Sequence, residues 1–77
     1  MMTLAMASPG EDVRLTAIHG GQRMRKRLAD LGLNLGMTVR VLQRNGRGPL
    51  ILAVKDSRLA LGRGMAHKIR VELAKSE

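Results

Sequence analysis

A chain of 77 residues with 14 Lys and Arg against 6 Asp and Glu carries a formal charge of +8, is 44% hydrophobic, and contains no Cys, Phe, Tyr or Trp. The missing thiols exclude disulfide staples and thiolate metal sites, and the missing rings exclude base-stacking platforms and aromatic grooves for proline-rich peptides. What remains is one small domain over residues 1–77, with its core at about 3–73, held by aliphatic packing and attractive to anionic partners.

The opening Met1 to Ala7 is mildly apolar but lacks the basic leader and the hydrophobic length of a secretory signal. Thr3 to Ala7 reads as one helical turn, broken by Ser8-Pro9-Gly10. Val13 to Ile18 alternates Val13, Leu15 and Ala17 against Arg14 and Thr16, the pattern of a half-buried strand. Gly20-Gly21 ends that strand and opens a helix over Gln22 to Leu31, whose apolar stripe is Met24, Leu28 and Leu31 at i, i+4, i+7. Gly32 stands where a helix ends in a left-handed residue, and Leu33 where the closing apolar contact falls. Asn34 and Gly36 supply the next turn. A helix so short is unstable alone in water and must pack onto a sheet.

From Thr38 the period changes to two. Thr38 to Arg44 is a strand with Val39 and Val41 on one face and Arg40 on the other. Asn45-Gly46-Arg47-Gly48-Pro49 is a hairpin connection, since Asn-Gly favours the primed turns that match strand twist. Leu50 to Val54 is apolar on both faces, so it is covered on both sides or lies under the helix. This run is the longest uninterrupted apolar one and is far too short to span a membrane. Lys55-Asp56-Ser57 turns the chain into Arg58 to Leu61, with Leu59 and Leu61 inward. After the Gly62-Arg63-Gly64 break, Met65 to His67 reads as a single 3₁₀ turn and Lys68 to Leu73 as the last strand, with Ile69, Val71 and Leu73 inward and Ala74 to Glu77 a frayed tail. The expected fold is mainly β: a small barrel of about five to six antiparallel strands with one short inserted α-helix, closed on itself so that no edge stays exposed.

Four cations, Arg23, Arg25, Lys26 and Arg27, fall in the first turns of the helix. Cations there oppose the positive end of the helix dipole at a cost of a few tenths of a kcal/mol each. A broken local rule marks a candidate site, here a docking surface for an acidic partner or lipid phosphates. The competing reading is a solvated face balanced in part by Asp30. On a helical wheel Arg23, Lys26 and Arg27 share a face and Arg25 points elsewhere. Leu42 and Ile51 lie opposite the main inward sets: uncovered, they are a second contact patch, and otherwise the helix or the N-terminal turn covers them. Met24, Met37 and Met65 are core fillers. Imidazole is a common metal ligand, but His19 and His67 have neither helical metal spacing nor accompanying carboxylates, so no metal site is assigned to them. No cofactor and no catalytic residue is assigned either: Gly20-Gly21-Gln22 lacks the spacing and the lysine of a phosphate loop, and no tuned acid–base set is visible.

The run Arg27-Leu28-Ala29-Asp30-Leu31-Gly32-Leu33 followed by Gly36-Met37-Thr38-Val39-Arg40-Val41 resembles the FeoA family of ferrous iron transport accessory proteins. Arg58-Leu59-Ala60-Leu61 is similar to the family's later strand and His67-Lys68-Ile69-Arg70-Val71 to its final one. The same barrel occurs as an appended domain in metal-dependent repressors. The resemblance implies an SH3-like β-barrel of the cytoplasm that works beside FeoB, the membrane ferrous iron transporter with a cytosolic GTPase domain. The expected function is then a non-enzymatic accessory or regulatory protein of bacterial ferrous iron uptake, with no small-molecule substrate. Arg23, Arg25, Lys26, Arg27, Leu42 and Ile51 are the candidate partner contacts. The rival reading is a basic nucleic-acid-binding or metal-responsive regulatory barrel. Against nucleic acid stand the missing aromatics and the lack of a recognition-helix pair. A weak homo-oligomer is a further expectation.

Overall fold

Residues 2–74 are described by a computed structural model. Six strands form one antiparallel sheet in the order β1-β6-β2-β3-β4-β5. They are β1 (Met2–Thr3), β2 (Asp12–Ile18), β3 (Thr38–Arg44), β4 (Leu50–Val54), β5 (Ser57–Leu61) and β6 (Ile69–Leu73). Helix α1 (Gly21–Asp30) lies between β2 and β3, the single turn α2 (Arg63–Ala66) between β5 and β6, and a 3₁₀ turn (Leu4–Met6) follows β1. No helix among the described residues is long and apolar enough to cross a membrane.

Alternation decides the interior. Val13 and Leu15 of β2, Val39 and Val41 of β3, Leu50, Leu52 and Val54 of β4, Leu61 of β5, and Ile69 and Val71 of β6 are all buried. They pack with Leu28 of α1, Leu33 beyond it, Leu4 of the 3₁₀ turn and Ala66 of α2. Met24, Met37 and Met65 sit half-buried against this core, as gap-filling thioethers do. No polar or charged residue is buried as a whole among the described residues; the Thr3 hydroxyl alone is shut from solvent without a partner, and the interior depends on apolar burial.

Two bulges curl the sheet. On β2 the pairing to β6 slips between Leu15 and Ala17, and the hydroxyl of Thr16, the extra residue, donates to the Arg70 carbonyl at 3.2 Å. On β3 the pairing to β4 slips between Val41 and Gln43, leaving Leu42 as the extra residue. Each bulge bends its strand and adds twist, which carries the two ends of the sheet toward each other. Full closure by hydrogen bonds, the expectation from sequence, is not reached: β1 and β5 end the sheet without pairing to each other. β1 is only two residues long before the chain turns into its 3₁₀ segment, which packs against α2.

Several other details differ from the pattern-based reading. α1 ends at Asp30, so Leu31 caps it and stays 42% exposed, and Leu33 enters the core in its place. Leu73 is 53% exposed although it continues the Ile69–Val71 face, because it lies beyond Val71, the last β6 residue paired with β1 among the described residues. The 3₁₀ turn read at Met65–His67 is the α-helical turn α2, which starts two residues earlier and ends one earlier. The Ala74 N–H donates to the Asp12 carbonyl at 2.9 Å, and the rest of the expected frayed tail, 75–77, lies outside the described residues.

Turn chemistry sets the hairpin registers. Between β3 and β4, Gly46 (φ +57°) and Arg47 are the central residues, closed by the Gly48 N–H to the Asn45 carbonyl at 2.8 Å. A positive φ at only the first central position is the type II′ arrangement. Between β4 and β5 only Lys55 and Asp56 intervene, with Val54 paired to Ser57 and Lys55 at φ +53°.

Candidate functional site

The most distinctive surface is α1, and its two ends explain how it is held. At the start, Gly20 adopts φ +113°, and a Cβ there would stand 3.0 Å from the Cβ of Met24. Glycine suits that position but offers no capping side chain, and no acid occupies the first turn. At the end, Gly32 (φ +90°) donates its N–H to Ala29 at 2.9 Å and Leu33 donates to Leu28 at 2.8 Å. These are the two bonds of a Schellman motif, with the buried pair Leu28 and Leu33 as its apolar contact.

Anchored by Leu28 and Leu33, and half by Met24, α1 turns Arg23, Arg25, Lys26 and Arg27 all to solvent. Arg25, read from the wheel as pointing away from the other three, lines an open depression of about 230 Å³ together with Ile18, Leu33, Asn34 and Leu35. Leu31 and Leu35, each 42% exposed, add apolar surface beside the cations. The sequence pattern placed Leu31 in the inward stripe of the helix and did not single out Leu35. Leu31, Leu33 and Leu35 alternate through a turn, and only the cap geometry decides that the middle one goes inward.

Charge is distributed unevenly over the molecule. The carboxylate of Asp12 receives two bonds from the Arg40 guanidinium, Nε to Oδ1 at 2.8 Å and Nη2 to Oδ2 at 3.1 Å. Two residues further along β2, Arg14 is ion-paired with Glu72 across β2 and β6. The hydrogen bonds from Arg40 hold the Asp12 carboxyl below its ordinary value, with the attraction of the opposite charge adding to them. The outward face of β6, β2 and β3 is therefore largely neutralised. These are the only ion pairs among the described residues: Asp30 does not pair with Lys26 or Arg27, and the four cations of α1 have no carboxylate partner there.

Leu42 and Ile51 are half-buried and stand in another place. Leu42 is the bulge residue of β3, and Ile51 lies between Gln43 and Ala60 in the register. Asp12, the first residue of β2, pairs with Arg40, so Leu42 lies past the start of β2. α1 instead leaves the far end of that strand, about 20 Å away for seven extended residues. The structure thus brings the four cations together but does not join Leu42 and Ile51 to them.

The two histidines, distant in sequence, become neighbours in the fold. The His19 N–H donates to the carbonyl of Lys68, the residue after His67, at 2.7 Å. Both side chains are exposed, and no group of three or more His, Cys, Asp or Glu able to hold a metal ion occurs among the described residues.

A curled antiparallel sheet of six short strands, with one helix inserted after the second, is a small SH3-like barrel, and here its prominent surface is basic. Residues 2–73 match the model of the FeoA domain family, and the chain belongs to that family. A Fe(2+) transport protein A of Methanocaldococcus jannaschii is 43% identical over 72 residues, which cover 94% of this chain and 87% of that protein. The crystal structure of an iron uptake regulatory protein (FeoA) superposes with a TM-score of 0.88 at 33% identity, over 95% of this chain and 97% of that one. The crystal structure of ScaR with bound Zn²⁺ superposes with a TM-score of 0.84 at 27% identity, over 94% of this chain but 36% of that one. The same barrel is thus also found as about a third of a longer protein.

Proposed function

We propose that this chain is a non-catalytic accessory protein of ferrous iron uptake that works in the cytoplasm by docking the basic face of α1 onto an acidic surface of the FeoB transporter's cytosolic part. Family membership and the iron transport names of its relatives support the iron context. The observation that carries the docking face is the exposure of Arg23, Arg25, Lys26 and Arg27 on one short helix with no carboxylate partner among the described residues. The expectation that all four stand in the first turns is corrected by the helix bounds, which put Arg27 in the last turn, so the dipole cost does not apply to the whole set. A folded domain that leaves four cations on one short helix without paired carboxylates keeps a field that an acidic partner neutralises. The depression beside Arg25, lined also by Ile18, Leu33 and Leu35, supplies the apolar surface that a purely electrostatic contact lacks. Leu42 and Ile51 are a second candidate contact, separate from the first.

Docking affects transport only if the barrel binds one nucleotide state of the transporter more tightly than another. The experiment is a titration of the purified chain against the cytosolic part of FeoB, nucleotide-free and with GDP or a GTP analogue, at low and physiological salt. The expected result is state-dependent association that weakens with salt and is lost when Arg23, Lys26 and Arg27 are changed together to Gln. Ile51→Lys tests the second contact and should leave the α1 contribution in place. No association in any nucleotide state at low salt, or unchanged binding by the triple variant, refutes the proposal.

A further inference from the structure

The curl of the sheet leaves one edge open, and its hydrogen-bonding groups can be identified from the register. β4 and β5 are joined by the two residues Lys55 and Asp56, so the flanking pair Val54 and Ser57 is the hydrogen-bonded one. Alternation along an antiparallel ladder makes Leu52–Leu59 and Leu50–Leu61 hydrogen-bonded pairs too. The N–H and C=O groups of Arg58 and Ala60 therefore point away from β4. β5 is the last strand of the sheet, and neither residue makes a backbone or side-chain hydrogen bond on that side among the described residues.

Edges of this kind are usually blunted by brevity, by a bulge, by proline or by a covering segment. The other edge, β1, has two residues. β5 has five, pairs with β4 in unbroken register, contains neither proline nor a bulge, and exposes both Arg58 and Ala60. Its one protective device is charge: Arg58 within the strand, Lys55 before it and Arg63 after it, with Asp56 the single acid nearby. That device is selective. A second copy of this chain would bring the same three cations to the same edge, like charge against like. An acidic segment meets opposite charge together with a row of free backbone donors and acceptors.

We propose that the free edge of β5 is a strand-addition site for an extended acidic segment of a partner protein, which adds a seventh strand along Arg58–Ala60. Backbone bonds to the N–H and C=O of Arg58 and Ala60 hold the segment, and its carboxylates face Lys55, Arg58 and Arg63. This surface is distinct from α1 and does not depend on the docking role given to that helix.

The test is an NMR titration of the ¹⁵N-labelled chain with a short blocked peptide of alternating glutamate and valine, beside a lysine–valine peptide of the same length. The expected result is saturable binding of the acidic peptide alone, with the largest shifts and new exchange protection at the Arg58 and Ala60 amides. Ala60→Pro removes one outward N–H and no β4–β5 bond, a replacement edge strands tolerate, and should weaken binding at least tenfold. Should that variant fail to fold, a peptide N-methylated at alternate residues on the wild-type chain asks the same question from the other side and should bind at least tenfold more weakly. Absence of saturable binding, shifts confined to α1, or binding unaffected by Ala60→Pro or by N-methylation overturns the proposal. So does concentration-dependent self-association through β5. The triple α1 variant should bind the peptide as wild type does, which separates failure here from failure of the α1 reading.

Discussion

Lys55→Gly should raise the stability of the protein, although it shortens a side chain and removes a charge. Lys55 is the one non-glycine residue among the described residues with a positive φ, +53°, fixed there by the two-residue turn between β4 and β5. For an L side chain the left-handed conformation costs about 1–2 kcal/mol, because Cβ crowds the following carbonyl. Glycine avoids that cost but gives up more backbone freedom on folding, about 0.5–1 kcal/mol. The difference favours glycine by up to about 1.5 kcal/mol, or a rise in Tm of up to about 6–12 °C for a domain of this size. The lost cation is exposed and unpaired, so its electrostatic effect on folding is small. With no aromatic residue in the chain, thermal melts are followed by far-UV circular dichroism and checked by urea denaturation. Asp56→Gly is the control: its neighbouring position has no positive φ, so it bears the entropic cost without relief and should lower Tm. A Lys55→Gly variant that melts as low as Asp56→Gly would refute the reasoning.

Further predictions follow from the same geometry. Leu28→Ala should cost about 2–5 kcal/mol in urea denaturation, because Leu28 is fully buried and ties α1 to the sheet, whereas Leu31→Ala, at a residue 42% exposed, should stay within about 1 kcal/mol. Gly32→Ala should lower stability by up to about 1.5 kcal/mol, the left-handed cost at its φ of +90° less the chain entropy that alanine saves, seen as a reduced Tm without loss of the native circular dichroism spectrum below the transition. The lowered carboxyl of Asp12 makes folding pH-dependent: its stabilisation is complete above the ordinary value of 3.8 and disappears as pH falls through the lowered folded value. Asp12→Asn should flatten that part of the Tm-versus-pH curve, and an unchanged acid slope would assign it to other groups.

Short-range patterns made much of this fold readable. β3 and β4 occupy Thr38–Arg44 and Leu50–Val54, where alternation and bounding turns place them. The cationic helix also follows from a 3.6-residue period. Long-range pairing was not readable. Nothing in Met2-Thr3 signals a strand, since two residues have no period, and the bulges at Thr16 and Leu42 exist only relative to β6 and β4. The exchange of Leu31 for Leu33 depends on the bonds of Gly32 and Leu33, and the exposure of Leu73 on how far β1 extends. The backbones at His19 and His67 come near each other only because β2 and β6 pair. The neutralised outer face is likewise a product of register, which sets Asp12 beside Arg40 and Arg14 beside Glu72.

That last arrangement pairs two of the six acids, Asp12 and Glu72, with cations on one patch of the sheet, while the cations of α1 have no such partner among the described residues. An anion approaching that patch meets opposed charges whose fields largely cancel at a distance, and one approaching α1 meets cations that no ion pair offsets. Free ions shorten the reach of that contrast to about 8 Å at physiological ionic strength. The contrast is set by the cross-strand neighbours of Asp12 and Glu72, and the loss of either pair would blur it.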